Sequence, residues 1–390
     1  MSFTLTDEQQ AIRDAIFKLL DPGGPLGDTY WLERDREGGF PHEFFDAIAE
    51  AGWLGIAMPE AYGGAGLGIT DAAVLMQAIA ESGAGMTGAS AVHLNIFGLN
   101  PVVVFGTDAQ KQRWLTEILP ARQIWCQLFS EPGAGSDLAA VATKAQRTEG
   151  GWILDGQKVW TSYAQFADWG LCLARTNPDV AKQQGISAFA IDMRAPGVEV
   201  RPLRQITDEA EFNEVFFSEV FVPDEQLIGP EHEGWRVANS TLTHERGVNP
   251  RQLVIHIQLL EELLRLAEEA GAFDDPRLAP RLGQAAAEVR LFQLHNWRTL
   301  SRVAKGQPPG PEGSALKLYW SEMSKRLHET VMAVLAETAP LWFGATENPG
   351  GGTWQRSWLY YQASSIWAGT NEIQRNILSE RVLGLPRDPK

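Results

Sequence analysis

The chain has 390 residues, 44% of them hydrophobic, and a formal net charge of −16, enough for a large core and two or three domains. The acidic balance reads as solubility, and no Lys/Arg run forms the basic stripe that a nucleic-acid binder needs. Two cysteines, Cys126 and Cys172, make no disulfide framework. No apolar run reaches the ~18 residues of a membrane span, and Met1–Gln10 lacks the basic-then-apolar pattern of a secretory signal, so a soluble cytoplasmic protein is expected.

The first third reads as helical. Thr6 with Gln9 forms a capping box, followed by Ile12, Ile16 and Leu19/Leu20 at helical spacing. Pro41 opens a second helix through Phe45, Ile48 and Ala49, and Gly52 closes it. Thr70 or Asp71 caps a third, with Val74, Leu75 and Ile79 inward. Asp108 begins a fourth, with Trp114, Leu115 and Ile118 on one face. Between the second and third lies Tyr62-Gly63-Gly64-Ala65-Gly66-Leu67-Gly68. It lacks both a preceding strand and the third glycine of a dinucleotide fingerprint, so it reads as a surface loop.

Near Arg122 the pattern changes to short runs rich in β-branched and aromatic residues. They are Ile124–Phe129, Trp152–Leu154, Gln157–Trp160, Gly170–Arg175, Ile186–Met193, Val198–Leu203 and Val215–Val222. Asp155-Gly156 between two of them predicts a hairpin turn. From Trp235 the helical period returns, with Leu253, Ile257, Leu260, Leu264 and Ala267 at bundle spacing. Pro250 should kink this helix or delay its start. Ala285–Ala304 and Ser314–Ala336 read as two more helices, separated by Pro308-Pro309-Gly310-Pro311. Pro349-Gly350-Gly351-Gly352 is a loop before the last helices. The expected class is α+β: an N-terminal helical domain (1–121), a central β-barrel or sandwich domain (122–233) and a C-terminal four-helix bundle (234–390).

Three stretches carry chemistry. In Ser130-Glu131-Pro132-Gly133-Ala134-Gly135-Ser136-Asp137 a strand ends and the chain turns tightly. Backbone N–H groups and the Ser130 and Ser136 hydroxyls are then free to meet a polar ligand. Lys158-Val159-Trp160-Thr161-Ser162 follows. Near the C-terminus stands Ser364-Ser365-Ile366-Trp367-Ala368-Gly369-Thr370-Asn371-Glu372-Ile373-Gln374-Arg375.

These motifs resemble the acyl-CoA dehydrogenase family, and the resemblance covers nearly the whole chain. It implies a flavoprotein. FAD would meet Leu128, Phe129, Ser130, Gly135 and Ser136 in the first stretch, and Trp160, Thr161 and Ser162 in the second. Thr370 and Glu372 would reach it from the C-terminal domain. Ser136, Arg246, Ala368 and Gly369 would contact the acyl-CoA, and no metal-ligand set is assigned. There are departures. Serines stand at 130 and 162 where the family has Thr. The Arg-x-x-Phe-Gly element that meets the FAD pyrophosphate of a neighbouring subunit is replaced by Glu268-Glu269-Ala270-Gly271-Ala272-Phe273-Asp274-Asp275. A Gly-Gly element expected before residue 350 is poorly matched by Leu341–Ala345.

The largest departure is Ala368, which occupies the place of the catalytic Glu in many members. Removing an α-proton from an acyl thioester needs a carboxylate within reach of that carbon, and a methyl group takes no proton. The backbone N–H of Ala368 can still stabilise the thioester oxygen. In isovaleryl-CoA and long-chain acyl-CoA dehydrogenases the base is a Glu directly before an Arg at the start of the C-terminal domain's long helix. Glu245-Arg246, within Thr243-His244-Glu245-Arg246, matches it. The resemblance thus implies FAD-dependent α,β-dehydrogenation of an acyl-CoA to the 2-enoyl-CoA. Glu245 is the base, hydride passes to flavin N5, and an electron-transfer flavoprotein is the acceptor, in a homo- or hetero-tetramer. Two alternatives stand beside it: a catalytically silent or half-functional subunit of a heteromeric enzyme, and a flavin monooxygenase on the same fold.

Overall fold

The computed structural model describes residues 5–247, 250–303, 305, 307, 310–311, 313–342, 345 and 347–387. By contacts the chain divides between Glu245 and Arg246, and each part is described by itself.

The first part opens with α1 (Asp7–Leu19), where Thr6 and Gln9 exchange side-chain bonds in the expected capping box. Ile12, Ile16 and Leu20 are buried. There follow α2 (Asp28–Glu37), α3 (His42–Glu50), α4 (Ile69–Ile79), α5 (Gly85–His93), α6 (Asn100–Phe105) and α7 (Asp108–Ala121). The expected inward residues of α3, α4 and α7 are in the core. The cap of α4 differs from expectation. Gly68 is the N-cap, and Asp71, three residues on, accepts from its amide at 3.2 Å. The glycine-rich stretch 62–68 is a loop that enters no strand.

The sheet has eight strands: β1 (Trp125–Leu128), β2 (Lys144–Thr148), β3 (Gly151–Ser162), β4 (Trp169–Arg175), β5 (Ile186–Asp192), β6 (Val198–Leu203), β7 (Phe212–Pro223) and β8 (Leu227–Ile228). Their order is β6-β7-β3-β2-β4-β5-β8, with β1 parallel to β4 at its side. Its buried side chains share one core with the N-terminal helices. The expected hairpin at Asp155-Gly156 is wrong: both residues lie inside β3. The register against β7 slips there, and a Cβ at Gly156 would stand 2.7 Å from Thr143 Cα, so glycine answers a close backbone approach inside a bulge. The turn comes earlier, at Glu149-Gly150, joining β2 to β3, and Gly150 takes φ 73°.

Next come α8 (Gly234–Gly247) and α9 (Pro250–Glu269). The described part of α9 begins at Pro250, and the expected kink or delayed start falls on residues 248–249, outside the described residues. The second part holds α9 and then α10 (Ala279–Val303), α11 (Gly313–Leu335), α12 (Thr353–Gln362) and α13 (Asn371–Ile377). Leu263, Leu266, Val289, Phe292, Met323, Leu327 and Val331 form its core. On α9 the buried position is Leu263 where the spacing pointed to Leu264. Polar rings pack here too. Burial lowers His256 to about 4 and His328 to about 3, so both are neutral aromatic neighbours of Tyr361. Among the described residues, no helix is long and apolar enough to cross a membrane.

Candidate functional site

In the first part, the candidate residues lie on and beside β1 and β3. Past Leu128 the chain folds back on itself. Glu131 and Ala134 exchange backbone hydrogen bonds of 3.1 and 3.0 Å, which closes a tight turn over Pro132-Gly133. A Cβ at Gly133 or Gly135 would meet nothing within 4 Å, so the outer side of the turn is open. The amides of Gly135 and Ser136 and the hydroxyls of Ser130 and Ser136 spend no hydrogen bond on the protein among the described residues. They form a small set of unspent donors facing outward.

Beside this turn stands Trp160. The β3–β7 ladder is broken between Lys158 and Thr161, and Trp160 takes a left-handed backbone with φ 60°. For a bulky residue that conformation costs about 1–2 kcal/mol. Instead of burying a large ring, the bulge leaves the indole 62% exposed, edge-on to Phe212 at 6.2 Å. The bulge thus spends backbone strain on an exposed aromatic face. The neighbours of Trp160 divide. Ser162 is half-buried, whereas Thr161 is buried with its hydroxyl unpartnered among the described residues. Leu128 and Phe129 also bury their side chains, so these three can offer a ligand only main-chain atoms.

Underneath lies an ion pair that was not singled out in the sequence. Lys158 is wholly buried, and its ammonium donates to Glu131 Oε1 (2.7 Å), Leu173 O (2.6 Å) and Phe129 O (3.2 Å). Glu131 also accepts from the amides of Ala142 (2.6 Å) and Thr143 (3.0 Å). Burial alone would raise the Glu131 carboxyl. The Lys158 charge and these hydrogen bonds outweigh it and hold the group below its ordinary value.

Helix α8 carries the Glu245-Arg246 pair. Its start is fixed to β5: a Cβ on Gly234 would lie 2.6 Å from the Ser187 carbonyl carbon. The His232 amide donates to Ser187 Oγ at 2.8 Å, and Val237 and Ala238 are buried in the core. Gly234→Ala is therefore expected to push α8 off β5, costing about 1–3 kcal/mol. Thermal melting checks this, and a melt equal to the native one counts against such tight seating. Thr243–Arg246 lies inside α8, which is helical from Gly234 on, and so does not open a helix. Residues 248–249 lie outside the described residues. So do the side chains of 241–250, Glu245 and Arg246 among them.

In the second part, the candidate residues lie in the turn before α13. Ala368 and Gly369 are both left-handed, with φ 52° and 85°. The Gln374 amide group donates to both their carbonyls, at 3.3 and 3.0 Å. Thr370 caps α13 by accepting from the Ile373 amide at 3.2 Å, and Glu372 is exposed beside Arg375. Buried Asn371 roots the turn on α11, accepting from Lys317 and Ser321 at 3.0 Å each. Ala368 is exposed, and its amide has no protein acceptor among the described residues. The turn thus presents a free N–H and no acid.

A flavin ring fits the Trp160 platform and its donors. A pyrophosphate does not fit the turn between α9 and α10. Glu268, Glu269, Asp274 and Asp275 crowd that turn, and Arg277 is spent on Asp275 at 2.7 Å, holding that carboxyl down to about 2. Phe273 is exposed there. Of the segment 341–345, residues 343–344 lie outside the described residues.

Three family models match: acyl-CoA dehydrogenase N-terminal domain over 6–121, middle domain over 126–220 and C-terminal domain over 232–383. Acyl-CoA dehydrogenase IpdE1 of Mycobacterium tuberculosis (strain ATCC 25618 / H37Rv) is 38% identical over 365 residues, 90% of this chain and 91% of that protein. A chain of the ChsE4-ChsE5 complex from Mycobacterium tuberculosis matches with a TM-score of 0.86 at 28% identity, over 100% of both chains. The FAD complex of PigA shares the fold, with a TM-score of 0.86 at 24% identity, over 99% of this chain and 100% of that one.

Proposed function

Because this chain belongs to the acyl-CoA dehydrogenase family, a family of flavin-dependent oxidoreductases, we propose that it converts an acyl-CoA to the 2-enoyl-CoA with Glu245 as base. Its functional segments are 1–121, 122–233 and 234–390. The observation that carries the reading is Trp160, held outward at a strained bulge beside a turn of unspent donors. FAD, when bound, takes up the hydride equivalent lost from the β-carbon. Trp160 supports the ring, and Ser130, Gly135, Ser136 and Ser162 satisfy its polar edge. Glu245 receives the α-proton, so the two hydrogens leave as one proton and one hydride. The Ala368 amide donates to the thioester oxygen as negative charge develops there. Gly369 leaves room for the acyl chain, and Arg246 faces the thioester or pantetheine. Thr370 and Glu372 meet the flavin from the C-terminal segment. The electrons pass on to an electron-transfer flavoprotein.

The acidic turn at 268–275 supports a second reading of the assembly. It offers no cation to a neighbour's FAD pyrophosphate, and a solved relative is a complex of two differently named chains, ChsE4 and ChsE5. In this reading the chain is one subunit of a heteromeric enzyme whose partner supplies that contact. Flavin content tests both readings. The purified chain should be yellow and bleach with an acyl-CoA under anaerobic conditions. If flavin is retained only when a second family member is co-expressed, the assembly is heteromeric. A folded protein that takes up no FAD in either setting overturns the flavin reading.

A further inference from the structure

We propose that the buried Glu131–Lys158 pair is the positioning device of the flavin platform: it joins the Ser130–Asp137 turn to the bulge that holds Trp160, and so sets the distance between the turn's donors and the indole. The inference rests on the flavin reading above and adds two residues to it that touch no ligand.

The geometry is specific. Lys158 is two residues before Trp160, and Glu131 follows Ser130 directly. The ammonium has three protons and three acceptors: one on the turn, one at the end of β1 and one on β4. The carboxylate draws in the segment before β2 through the Ala142 and Thr143 amides. Between these anchors, the Val159 amide donates to Ser130 O at 2.9 Å, so the turn and the bulge share a direct bond just above the pair. Val159 and Glu131, next to Trp160 and Ser130, are tied down, while the Gly135 and Ser136 amides make no protein hydrogen bond among the described residues. Fully satisfied buried charges fix geometry more than they add stability. A pair kept only for stability is replaceable by apolar residues of similar volume, often at no cost. A pair kept for position is not.

That difference gives the test. The full-length protein, with any subunit that co-purifies, is prepared as native and as Glu131→Leu/Lys158→Met. Apo-protein of each is titrated with FAD, following the flavin absorbance bands and fluorescence. The double variant is expected to melt near the native temperature, yet to bind FAD about tenfold or more weakly with shifted bands, as loosened support of a preorganised site implies. A folded double variant with native affinity and native bands overturns the proposal.

Hydrogen exchange on the native apo-protein decides independently of whether the double variant folds. The amides of Val159, Ala142 and Thr143 should already be protected without FAD. If they exchange like an open loop until FAD is added, the pair does not preset the platform and the proposal fails. A native chain that takes up no FAD, alone or co-expressed, fails at the flavin reading, and protected amides in that chain would separate the two failures.

Discussion

Glu245→Gln is expected to bind acyl-CoA and to reduce its flavin at least ~10²-fold more slowly than the native protein in anaerobic stopped flow, the lower range for a positioned general base. Glutamine keeps the size and hydrogen-bonding capacity of the side chain and removes the basic electron pair. Contacts to the CoA and the acyl chain are untouched, so the loss should fall on the rate of reduction and not on the dissociation constant, as for an interaction made chiefly in the transition state. Glu245→Asp should lose less, because a carboxylate one methylene shorter is still a base. One observation directs the experiment to this residue: Ala368, in the turn before α13, offers an amide but no acid. Native-like reduction by Glu245→Gln, with a verified substrate, would remove Glu245 as base and turn attention to a carboxylate from another chain.

Much of this was legible in the sequence, and the parts that were not share a physical cause. Thr6 with Gln9 acts through neighbours a few residues away, and the capping box formed where expected. Strand β2 went unread because only Ala145 of its five residues is buried, so no alternating apolar signal exists. Helix α2 is mostly charged and buries Trp31 alone among its described side chains. Asp155-Gly156 was misread because the pair has the same local chemistry in a hairpin turn and in a bulge. What decides between them is Thr143, on a segment that packs against Gly156 only once the sheet has formed. The motif residues of the flavin platform were visible as a pattern, but their division into side-chain and main-chain roles depends on burial. Leu128, Phe129 and Thr161 turn inward, while Trp160 is held out.

The residue whose role was least visible supports the second large effect. Lys158 reads in sequence as a polar strand residue, yet it has no exposed surface. Lys158→Met is expected to destabilise the folded chain by about 3–5 kcal/mol, because it leaves the buried Glu131 carboxylate without its counter-charge. Urea or thermal unfolding of the native protein, the single variant and Glu131→Leu/Lys158→Met measures this, and the double variant should recover most of the loss. The pH dependence gives a signature that a mere packing defect lacks. In the native chain the Glu131 carboxyl is held below its ordinary value. A depressed acid contributes stability at pH above its unfolded value of about 4.3 and loses it as the pH falls through the folded value. In Lys158→Met the opposing charge is gone and burial dominates, so the sign reverses and the carboxyl takes up a proton more readily than in the unfolded chain. The variant's penalty is then full at neutral pH and shrinks on acidification, while the native protein's advantage also declines. The stability gap should therefore narrow steadily from about pH 7 toward pH 4. A gap that stays constant over that range, or a Lys158→Met chain as stable as the native one, would mean that the pair bears no charge-dependent part of the fold.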